Sequence, residues 1–108
     1  MMTIQRNIRE ARTNMDVAWR EMLTSVERFT EAEAIFNDST QAFRVRHRIP
    51  DGERMTVECI MARGRDPIWQ ESVSDCRYFR DRTMMFATVH SAALERLREL
   101  LEDEKTSI

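Results

Sequence analysis

Apolar residues in the first part of the chain recur at the spacing of one face of an α-helix. Steps of three, four or seven residues separate Ile4, Ile8, Ala11, Met15, Ala18, Met22, Phe29, Phe36 and Phe43. This periodicity predicts one long amphipathic helix over about residues 4–46. Three further apolar residues widen the stripe on one side: Trp19, Leu23 and Val26. Residues 37–40 read NDST, and because such side chains bond to the nearby backbone, we expect the helix to weaken there.

A second long helical pattern begins at Asp66, an N-cap residue type, which is followed by Pro67 at the first helical position. Its main apolar stripe has heptad-like spacing: Trp69, Val73, Cys76, Phe79, Thr83, Phe86, His90, Leu94, Leu97 and Leu101. These signals predict a helix over about residues 67–103 with the periodicity typical of a coiled coil.

The last helix also carries a second, thinner apolar stripe. It consists of Tyr78, Met85, Val89 and Ala92. At about 100° per residue, this stripe lies more than a quarter-turn from the main one. A helix with two apolar stripes needs two neighbours, and the first helix accounts for only one. We therefore predict that the second stripe binds a partner, either the middle segment or another copy of the chain in a homo-oligomer.

The connecting segment admits two interpretations. Around the Pro50-Asp51-Gly52 turn signal, apolar and polar residues alternate, which suggests a β-hairpin over residues 42–62. The alternative is a short helix over about residues 56–63, with Thr56 as N-cap and Gly64 at the C′ position. Because an isolated two-stranded hairpin is only marginally stable, we favour the helix. The expected fold is all-α: a long antiparallel helical hairpin with a short helix in the connector, with the β-hairpin as the alternative.

Composition restricts the class of protein further. The chain has 108 residues, which fits a single domain, residues 1–108, and its two glycines and two prolines argue against an all-β fold or a disordered linker. The net charge of −2 implies no general attraction to nucleic acid or membrane. Two scattered cysteines, no apparent signal peptide and no long apolar run predict a soluble, cytoplasmic protein without a membrane association.

Candidate chemistry is sparse. His47, His90, Cys59 and Cys76 show none of the spacings typical of metal ligands. The sequence has no nucleophile motif and too few glycines for an oxyanion or phosphate loop. Most carboxylates lie beside arginines, as expected of a solvated surface. We therefore predict that the protein is not an enzyme and has no catalytic residue, metal, cofactor or small-molecule substrate.

Arginines cluster around the connector and form the one candidate polar site. They are Arg44, Arg46, Arg48, Arg54, Arg63 and Arg65. Guanidinium groups in such a cluster can contact phosphates or an acidic partner protein. Four carboxylates in the same stretch, those of Asp51, Glu53, Glu58 and Asp66, reduce its formal charge to +2. Nucleic-acid binding is therefore the alternative function rather than the first.

Two stretches of the chain resemble a known class of protein in their overall composition. They read ERFTEAEAIFNDSTQAFRVRHRIPDGERM and SVSDCRYFRDRTMMFATVH. The chain looks like the small helical orphan proteins of phages that infect high-GC actinobacteria, and its use of sixteen arginines against one lysine agrees with this. The resemblance implies a virion or assembly component, or a small protein that binds a host factor. With the second stripe, it predicts a non-enzymatic protein–protein interaction or assembly function.

Overall fold

The computed structural model describes residues 2–106, which form three helices. They are α1 (Met2–Arg46), α2 (Val57–Gly64) and α3 (Pro67–Thr106). The described residues contain no strand. The predicted all-α helical hairpin with a short helix in its connector is therefore confirmed, and the alternative of a β-hairpin over residues 42–62 is wrong.

The chain divides into two compact units, each built from a part of α1 and a part of α3. Unit 1 comprises Met1–Val26 and Asp81–Ile108, and unit 2 comprises Glu27–Arg80 with the connector. In each unit, rising residue numbers on α1 meet falling numbers on α3, so the two helices pack antiparallel. The prediction of a single domain stays a prediction.

In unit 1, small side chains occupy every seventh position of the α1 surface that faces α3. Ala11, Ala18 and Ser25 are all buried. Near the start of α1, Ile8 and Ala11 form a core cluster with Leu97 and Leu100 of α3. Further along, the hydroxyls of Ser25 and Thr83 lie 2.8 Å apart and satisfy each other. Because the separation of packed helices depends on the side chains between them, this repeat favours a close approach of α1 and α3.

In unit 2, aromatic residues of α1 provide the packing. Phe43 is fully buried and stacks on His47, with ring centroids 4.1 Å apart. Phe36 contacts Trp69 of α3 at 6.0 Å. The expected weakening at residues 37–40 does not occur, because α1 continues to Arg46. The Thr40 hydroxyl accepts a hydrogen bond of 3.1 Å from the indole N–H of Trp69, so this side chain is used in tertiary packing.

The C-terminus of α1 explains why residues 43–49 do not form a strand. The N–H of Ile49 donates to the carbonyl of Arg44 and the N–H of Arg48 to that of Val45, the two bonds of a Schellman motif. Arg48 occupies the left-handed C′ position, with φ of 54°. In this helix Phe43 is buried whereas Val45 is 66% exposed, so the alternating residues do not share one face.

The two later helices begin at the N-caps that the sequence indicates. The Thr56 hydroxyl accepts from the N–H of Cys59 at 3.2 Å. One oxygen of Asp66 accepts from the N–H groups of Ile68 and Trp69, both at 3.0 Å. The predicted role of Gly64 is wrong: Gly64 is the last residue of α2, and Arg65 is the C-cap.

Candidate partner-binding surfaces

The predicted second stripe of α3 is exposed in unit 1. Met85 and Val89 are 49% and 48% exposed, and Ala92 is exposed as well. The three residues follow one another at steps of four and three and so share one side of the helix. We call Met85, Val89 and Ala92 the α3 face. Beside it the Arg82 guanidinium lies 5.3 Å from the ring centre of the half-buried Phe86.

Tyr78, the fourth residue of the predicted stripe, belongs to unit 2. It is 54% exposed, and its ring meets the edge of the Phe79 ring with centroids 5.2 Å apart. Tyr78 is therefore accessible to a partner, but it is a feature of a different unit from the α3 face.

A further apolar surface lies on α1 in unit 1, at the three residues that widen the apolar stripe of this helix. Trp19, Leu23 and Val26 are 45%, 43% and 40% exposed. The Trp19 ring contacts His90 with ring centroids 5.1 Å apart, and 45% of the residue remains exposed. These residues widen the apolar stripe of α1 on one side, and they stay partly exposed. The sequence did contain a signal for this exposure, the seven-residue repeat of Ala18 and Ser25. Trp19 and Val26 each lie one residue past this buried repeat.

Three of the six connector arginines are held by contacts within unit 2. Arg44 donates to the carbonyls of Pro50 and Glu53, at 2.8 and 2.7 Å, and so fixes the turn between them. Arg46 forms an ion pair with Asp66, with a separation of 2.7 Å. Arg63 lies over the ring of Trp69 at 4.7 Å. These arginines stabilise the connector, which limits what they can offer to phosphates.

The ion pair also affects Asp66 itself. The hydrogen bond from the N–H of Trp69 lowers the pKa of the Asp66 carboxyl below its ordinary value, and the bond and charge of Arg46 act in the same direction. Asp66 thus stays ionised to a lower pH than an ordinary aspartate does, and it serves both as the cap of α3 and as the partner of Arg46.

The other three connector arginines are exposed. Among the described residues, Arg48, Arg54 and Arg65 have no ion-pair partner. The side chains of Asp51, Glu53 and Glu58 are exposed in the same segment. The exposed charges of the connector outside the Arg46–Asp66 ion pair are therefore balanced, at three of each sign.

No protein-family model matches the chain, and no curated protein or solved structure shows significant similarity to it. Within residues 2–106, no three His, Cys, Asp or Glu side chains lie close enough together to hold a metal ion. Cys59 and Cys76 are half-buried free thiols. None of the described helices is long and apolar enough to cross a membrane.

Proposed function

We propose that this protein is a non-enzymatic interaction or assembly protein that binds a protein partner, or further copies of itself, through the α3 face. The observation that carries the proposal is the exposure of Met85 and Val89 in the middle of a 40-residue helix. Large apolar side chains at successive turns of one helix side mark protein-binding surfaces more often than isolated exposed residues do.

For the role in the cell, we keep the one that the sequence suggests, a phage-encoded virion component or a protein that binds a host factor. A cytoplasmic phage-encoded protein that joins a virion assembly or occupies a surface of a host factor would need a stable helical scaffold and an exposed apolar face. The alternative, nucleic-acid binding through the connector arginines, has less support. Arg44, Arg46 and Arg63 already have partners within unit 2, and the remaining accessible charges balance.

The test compares two adjacent methionines that point in different directions on α3. Met84 is 64% exposed and Met85 is 49% exposed, so a glutamate is tolerated by the fold at either position. Met85→Glu and Val89→Glu should weaken binding at least about tenfold, as expected for loss of about 1.4 kcal/mol at an interface centre. Met84→Glu is the matched control and should bind as the unaltered protein does.

Binding is measured in two ways: by the solution mass from sedimentation, and by quantitative mass spectrometry after capture from host extract with and without nuclease treatment. The proposal fails if Met85→Glu and Val89→Glu change neither the mass nor the captured proteins. If capture instead depends on nucleic acid and decreases steeply with salt, the nucleic-acid alternative replaces it.

A further inference from the structure

Unit 2 contains a groove of about 410 Å³ between α1 and α3. Its floor is made of small side chains, because Ala32 and Ser72 line it and are 5% and 3% exposed. The Ser72 hydroxyl donates to the carbonyl of Trp69 at 2.7 Å, so the floor requires no polar ligand. On one wall stands Ile35, which is 59% exposed. The groove thus places the exposed Ile35 beside a floor of small, buried side chains.

Charged side chains of both signs line this groove. Arg28 and Glu31 of α1 and Asp75 of α3 all line the groove and are exposed. Within the part of the chain that the structure describes, none of the three forms an ion pair. Phe79 completes the lining, and its ring contacts that of Tyr78.

We propose that this groove binds the same groove of a second copy of the chain, as the centre of a two-fold symmetric dimer. A two-fold interface must be self-complementary, because residue i contacts residue j and residue j contacts residue i. The groove meets this requirement in shape, since Ile35 of each copy can occupy the small-residue floor of the other. It meets it in charge as well, since Arg28 of each copy can pair with Glu31 or Asp75 of the other.

These features favour a second copy over a partner whose surface carries one sign of charge. A surface evolved for a purely acidic or purely basic partner would carry one sign of charge, whereas this rim carries one cation and two anions. The inference rests on the proposed function in that self-association is one of its forms, but it places the contact in unit 2 and not on the α3 face.

The experiment is sedimentation equilibrium of the whole chain over a range of concentrations. Arg28→Glu places like charges opposite each other and should weaken the dimer at least about tenfold. The double variant Arg28→Glu with Glu31→Arg restores opposite charges across the two-fold axis and should return the dissociation constant to within about threefold of the original. Arg20→Glu is the matched control: it makes the same charge change at an exposed position of α1 in unit 1 and should leave the dimer unaffected. Circular dichroism confirms that each variant is folded.

Each outcome has one meaning. A chain that stays monomeric up to about 1 mM overturns the inference, as does an Arg28→Glu dimer as tight as the original. Loss of self-association in Met85→Glu or Val89→Glu alone also overturns it but supports the proposed function. If Arg28→Glu dissociates the dimer and the double variant restores it, the inference stands. If in that case the α3-face variants lose no binding of any kind, the proposed α3 contact is wrong.

Discussion

Replacing Phe43 with alanine should destabilise unit 2 strongly. Phe43 is 1% exposed and stacks on His47. Burial of an aromatic side chain removes about 150–250 Å² from water, which at about 25 cal/mol per Å² contributes about 4–6 kcal/mol. Alanine retains part of this contact, so the expected loss in unfolding free energy is about 3–5 kcal/mol. For a chain whose total stability is of the order of 5–15 kcal/mol, this is a large share.

The assay is urea denaturation followed by far-UV circular dichroism, with Val45→Ala as the matched control. Val45 lies two residues further along α1 and is 66% exposed, so its replacement should change the unfolding free energy by no more than about 0.5 kcal/mol. Both substitutions improve helix propensity similarly, which leaves burial as the difference between them. A loss for Phe43→Ala below about 1.5 kcal/mol, or an equal loss for both variants, would refute the assignment of Phe43 as the main packing residue.

Two further predictions concern the connector. Arg48→Gly should stabilise the protein by about 0.5–1 kcal/mol. Glycine relieves the backbone strain of the left-handed position, and this gain exceeds the cost of the greater conformational entropy that glycine gives the unfolded chain. Arg65→Gly, at φ of −99°, should instead destabilise the protein in the same denaturation assay. Asp66→Asn should retain the N-cap but alter the acid profile. Since the folded pKa of Asp66 is lowered, its contribution is complete above the ordinary carboxyl pKa and is lost as pH falls through the folded value. Denaturation curves below about pH 5 should therefore be less pH-dependent for Asp66→Asn than for the original chain, and identical profiles would contradict this.

The helices could be predicted from the sequence because their signals are local. The apolar periodicity of α1 and α3 follows from the 3.6-residue turn, and the caps at Thr56 and Asp66 bond to backbone only two or three residues away. The alternation in residues 43–49 was ambiguous for a related reason. A strand and the last turn of a helix can carry the same residues, and the choice depended on the burial of Phe43 within unit 2.

The surfaces could be predicted only in part. The sequence indicated that the stripe with Met85 and Val89 lacks a neighbour in the simple hairpin, and their exposure agrees with that. It could not show that Trp19 stays 45% exposed beside its contact with His90, because periodicity gives the direction of an apolar stripe but not the width that a neighbouring helix covers. The connector arginines are a similar case. Their total charge can be counted from the sequence. The pairing of Arg46 with Asp66 cannot be predicted in this way, because it joins residues twenty positions apart.

The helical class, the start of α2 and α3, and the presence of more apolar surface than one helix pair can cover are all evident from the amino-acid sequence. Each of these depends on interactions within a few residues along one helix. The folded chain was needed to show which arginines are occupied, which side of α1 stays exposed, and that Ile35, Arg28 and Asp75 surround one groove. These depend on the register in which α1 packs against α3, and that register is fixed by contacts between residues far apart in the chain.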